Sequence, residues 1–94
     1  MIVGVLTAQL SLHGVTSLKG KRSIVKSVIG RLKSRFNISI SEVDHQDNKT
    51  SAIIGVAIVS NDSQFIDKQF DSIINFMNND GRFFLSNVER ETFS

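Results

Sequence analysis

The feature that most constrains this chain is the spacing of its apolar residues, which alternates between a two-residue and a helical period. Ile2, Leu6, Ala8, Leu10 and Leu12 share one parity, and Val3, Val5, Thr7, Gln9 and Ser11 share the other. Residues 2–12 therefore read as a strand, and its first half, apolar on both parities, predicts a central one. His13-Gly14-Val15-Thr16 is a turn, and Thr16 or Ser17 is placed to cap a helix. From Leu18 the period lengthens. Leu18, Val25, Val28, Ile29, Leu32 and Phe36 fall within about 100° of arc on a helical wheel. Lys21 projects into that same apolar arc at the first turn.

The alternation returns from Phe36 to Asp44, with Ile38 and Ile40 inward, and again from Thr50 to Ser60, which is apolar on both parities and predicts a second central strand. His45-Gln46-Asp47-Asn48-Lys49 joins the two as a polar hairpin loop. Asn61 to Gln64 has capping-box spacing ahead of a second helix whose stripe is Ile66, Phe70, Ile73, Ile74 and Met77. Gly81 is a helix stop, and Arg82 to Phe93 reads as the last strand. The 94 residues leave room for one core, so residues 1–94 are expected to form a single domain.

Strand, helix, hairpin, helix, strand leaves few arrangements once crossovers are right-handed. The expectation is an α+β, ferredoxin-like split βαβ fold: a four-stranded antiparallel sheet with both helices on one face. In that arrangement the first loop, the start of helix 1 and the central hairpin share one end of the sheet. His13, Lys19, Lys21, Arg22, Asp44, His45 and Asp47 are expected to gather there; the alternative to anion binding by this group is an ordinary solvated face with Lys21 and Arg22 paired to Asp44 and Asp47.

Charge is divided along the chain. Residues 1–41 carry seven bases and no acid, and residues 42–94 carry four bases against nine acids. Such segregation points to a polyanionic or acidic partner. With no cysteine, disulfides and thiolate metal sites are excluded. The apolar start gives way to Thr7, Gln9 and Ser11 without a basic leader, so neither a signal peptide nor a membrane span is expected and the chain reads as cytoplasmic.

Ser17-Leu18-Lys19-Gly20-Lys21-Arg22, Ser41-Glu42-Val43-Asp44-His45-Gln46-Asp47 and Gly55-Val56-Ala57-Ile58-Val59-Ser60 together resemble the YlxP-like family, a small bacterial family of unknown function. The resemblance covers nearly the whole chain. It implies a ferredoxin-like fold and, because the genes often neighbour those for transcription and translation factors, an association with RNA or ribosomes. Two departures from the family pattern stand out. Gly20 stands where glutamate is usual, which removes a capping box, and Lys49-Thr50 replaces a frequent Trp-Gln.

The candidate anion- or RNA-binding residues are Lys19, Lys21, Arg22, Lys26 and Lys33 on helix 1, where lysine and arginine supply sequence-independent affinity for phosphates. Stacking of bases on the sheet is disfavoured, because none of Phe36, Phe65, Phe70, Phe76, Phe83, Phe84 and Phe93 lies on a central strand. Asp44, His45 and Asp47 form a possible hairpin contact; as three groups on one loop they make a poor metal site, so no metal is assigned. No cofactor is implied and no catalytic residue is named: a phosphate loop and a thiol are absent, and His13 and His45 are the sole imidazole bases. Two functions follow. One is an RNA- or ribosome-associated accessory factor gripping phosphates through helix 1. The other is a non-catalytic interaction or homodimerisation module using the open sheet face, where Val3, Val5 and one parity of strand 3 stand bare.

Overall fold

The computed structural model describes residues 1–94. Six elements follow in the expected order: β1 (Ile2–Leu12), α1 (Leu18–Arg35), β2 (Ser39–Asp44), β3 (Ser51–Ser60), α2 (Ser63–Asn78) and β4 (Phe83–Phe93). The strands form one antiparallel sheet in the order β2-β3-β1-β4, so the two strands that are apolar on both parities lie at its centre. One parity of β1 (Leu6, Ala8, Leu10, Leu12) and one of β3 (Ala52, Ile54, Val56, Ile58) are buried beneath the helices. Val25, Val28 and Leu32 of α1, and Ile66, Phe70, Ile73 and Met77 of α2, close the same core from above. Burying a side chain such as Phe70 or Leu6 contributes about 1.5–3 kcal/mol each.

The element ends differ from expectation for local reasons. The run 36–44 becomes strand only at Ser39, because Phe36 is the C-cap of α1 and donates its N–H to the Leu32 carbonyl at 2.9 Å. Ser17 caps α1 by accepting from Gly20 N–H at 3.0 Å, so the glycine that removes the capping box still completes half of it. The N-cap of α2 is Asp62 rather than Asn61; its Oδ1 accepts from Gln64 N–H at 3.0 Å. Gly81 takes the left-handed conformation, φ +85°, that turns the chain from α2 into β4.

Gly4 sets how closely α2 approaches the sheet. A Cβ there would overlap Ile66 Cγ2 and press on Phe70 Cε2 at 3.0 Å. Its missing side chain is filled by the first two turns of α2.

Candidate functional site

The seven bases of α1 fall into three environments. Lys19, Arg22, Lys26 and Lys33 are spaced three, four and seven residues apart, and all four are exposed. They form one flank roughly 20 Å long at about 1.5 Å per residue. None of them makes an ion pair; the four pairs in the structure involve Lys21, Arg82 and Arg90.

The other flank of α1 faces α2. Arg35 lies over the Phe76 ring at 4.8 Å, Arg31 adds positive field at Asp80, and Ser27 accepts from Arg82 Nη1 at 3.4 Å. Asp80 is gripped by Arg82 through two contacts, Nε to Oδ1 at 2.6 Å and Nη2 to Oδ2 at 2.7 Å. Those hydrogen bonds hold the Asp80 carboxyl below its ordinary value of 3.8.

Lys21 corrects the sequence reading. It is 0 % exposed and cannot meet a phosphate from solution. Its position in the apolar arc sends the stem into the core, and the amine emerges beneath the central hairpin. There Nζ lies 2.9 Å from Glu42 Oε2 and donates to the His45 carbonyl. Glu42 Oε2 is itself buried and finds no aligned hydrogen-bond donor, so its attraction to the ammonium is that of an ion pair. The expected partners of Lys21 and Arg22, Asp44 and Asp47, make no ion pair with either. Glu42 takes that place because it shares parity with Ile40, which is buried on the helix side of β2. That parity was the available signal.

The hairpin residues serve the turn. His45 adopts φ +61°, and the Asp44 carboxylate accepts its N–H at 2.8 Å. His45 Nδ1 lies 3.0 Å from Ser51 Oγ, which also accepts from Gln9 Nε2 at 3.3 Å. Asp47 is exposed in the loop. His13 packs on the Phe84 ring, centroids 5.5 Å apart. No three histidine or acidic side chains assemble into a set able to hold a metal ion. No helix is long and apolar enough to cross a membrane.

The sheet's other face is uncovered. Val5, Ser39, Ser41, Val43, Gly55 and Ala57 line a shallow groove across it. Val43 and Val59 are more than half exposed.

The β2-β3-β1-β4 order with both helices on one face defines a ferredoxin-like split βαβ domain. The chain belongs to the family described as Protein of unknown function (DUF503), whose model matches residues 3–90. It is similar to the uncharacterized protein YlxP of Bacillus subtilis (strain 168), 29% identical over 76 residues that cover 81% of this chain and 83% of that one. Among solved structures it resembles an asparagine-to-alanine variant of SnoaB, a cofactor-independent oxygenase from Streptomyces nogalater. The TM-score is 0.52 at 10% identity, covering 98% of this chain and 91% of the other. At that identity the likeness concerns the fold alone.

Proposed function

We propose that this protein is an RNA- or ribosome-associated accessory factor of the cytoplasm, which grips phosphates through the flank of α1. The observation that carries the proposal is the contrast within one helix. Lys21, Arg31 and Arg35 are engaged by the protein's own groups, whereas Lys19, Arg22, Lys26 and Lys33 stand exposed in a row without an acidic partner. A row of free cations about 20 Å long spans three or four successive phosphates of a strand. Base identity contributes little, since the central strands offer no aromatic platform.

The test is a filter-binding titration of single-stranded RNA against salt. Counterion release sets a slope of log affinity on log salt of roughly −0.7 per phosphate, or about −2 to −3 in all. Replacing Arg22 and Lys26 together with alanine flattens that slope by roughly 1.4 units. Both side chains are exposed, so the melting temperature stays near that of the wild type. Absence of salt-sensitive binding, or unfolding of the double variant, refutes the proposal.

A further inference from the structure

We infer that the uncovered sheet face closes against a second copy of this chain, in a two-fold dimer whose axis runs parallel to the strands. This is independent of the RNA reading, because α1 lies on the opposite face of the sheet.

The first ground is charge. The face is built from alternate residues of four strands, and none of the chain's eleven lysines and arginines is among them. A sheet face meant for water is ordinarily polar and charged. This one carries Val3, Val5, Ile53, Ala57 and Val59 on its two central strands, and lysine is among the residues depleted from interfaces. Its charges are acidic and lie at the edges: Glu89 and Glu91 on β4, and Asp44 on β2. That arrangement repels a polyanion.

The second ground is the register. Five rows cross the sheet: Phe93-Val3-Val59, Glu91-Val5-Ala57-Ser39, Glu89-Thr7-Gly55-Ser41, Asn87-Gln9-Ile53-Asp44 and Phe84-Ser11-Ser51. A two-fold axis parallel to the strands lays each row on itself reversed. Glu91 of one copy then meets Ser39 of the other, Glu89 meets Ser41, and Asn87 meets Asp44, so each edge carboxylate faces a hydrogen-bond donor. In the centre, Val5 meets Ala57 and Thr7 meets Gly55, large against small. Gly55 is the floor of the groove, and Val43 leans over it. An axis across the strands would instead lay β4 on β4, with Glu89 of one copy against Glu91 of the other.

The third ground is area. Four strands at about 4.8 Å spacing and some ten residues at about 3.3 Å cover roughly 600 Å² per copy. Both copies together reach about 1,200 Å², the lower bound of stable, specific interfaces.

Sedimentation equilibrium across the micromolar range tests the inference with the intact chain. The wild type is expected to be a dimer, and a monomer throughout that range overturns the inference. Val59 is 61 % exposed, so Val59→Glu folds, and it weakens association on the order of tenfold by desolvating a charge against Val3 of the other copy. A folded Val59→Glu variant that still dimerises as the wild type does overturns it. Ser39→Arg separates the two axes. Set against Glu91 of the other copy it tightens the dimer; a weaker dimer places β2 over β2 and refutes the proposed axis.

Discussion

Replacing Lys21 with methionine removes the ammonium while keeping most of the volume of its stem. Two groups then lose their partner: the Glu42 carboxylate, whose side chain is only 17 % exposed, and the His45 carbonyl. Removing one member of a buried ion pair costs about 3–5 kcal/mol, because the other charge is left uncompensated. Glu42 retains some water, which favours the lower end, about 3 kcal/mol. For a domain of this size that lowers the melting temperature by roughly 15 °C. Pairing the change with Glu42→Leu removes the orphaned charge, and the double variant recovers to within about 1 kcal/mol of the wild type. Urea denaturation of the wild type, both single variants and the double variant measures the coupling directly. A Lys21→Met protein that melts within a few degrees of the wild type would refute the reasoning, as would a double variant less stable than either single one.

Two further substitutions probe the packing and the acid response. Gly4→Ala places a methyl group against Ile66 and Phe70 and is expected to cost about 1–3 kcal/mol in a denaturant titration; no loss would mean that α2 is free to lift off the sheet. Asp80 has its folded pKa depressed, chiefly by the Arg82 hydrogen bonds, so its contribution to stability is complete above the ordinary carboxylate value and disappears as the pH falls through the lower folded value. Asp80→Asn should therefore flatten the stability curve below about pH 4, and an unchanged acid limb would show that the grip of Arg82 is not what lowers that pKa.

The order and placement of the elements were legible because period and parity are properties of the sequence itself. Val3 and Leu6 on opposite parities already marked β1 as central, and the helical stripe through Val25, Val28 and Leu32 already chose the buried side of α1. The candidate site was legible in part. Lys19, Arg22, Lys26 and Lys33 are where helical spacing put them, on one exposed flank. Lys21 stands out in the sequence as a charge within an apolar arc, but the topology offers it the loop acids Asp44 and Asp47 as well as Glu42. The β-bulge between Glu42 and Asp44 shifts the register there, and grouping residues by the shared end of the sheet favours the loop acids over the strand parity that selects Glu42. Gly4 could not be read at all. Its role depends on where Ile66 and Phe70 arrive, more than sixty residues later.

The separation of charge along the chain also has a kinetic consequence. The first helix holds seven bases and no acid, and the rest of the chain holds four bases and nine acids, so the molecule is an electrical dipole with one cationic rim. Near a polyanion it experiences a torque as well as an attraction. Physiological salt screens that field beyond about 8 Å, so the torque acts only in the last stage of approach. Within that distance, collisions that begin with α2 or β4 forward are rotated or rejected before contact. Orientation is thereby partly settled before any hydrogen bond forms, and added salt should slow association as well as weaken the complex.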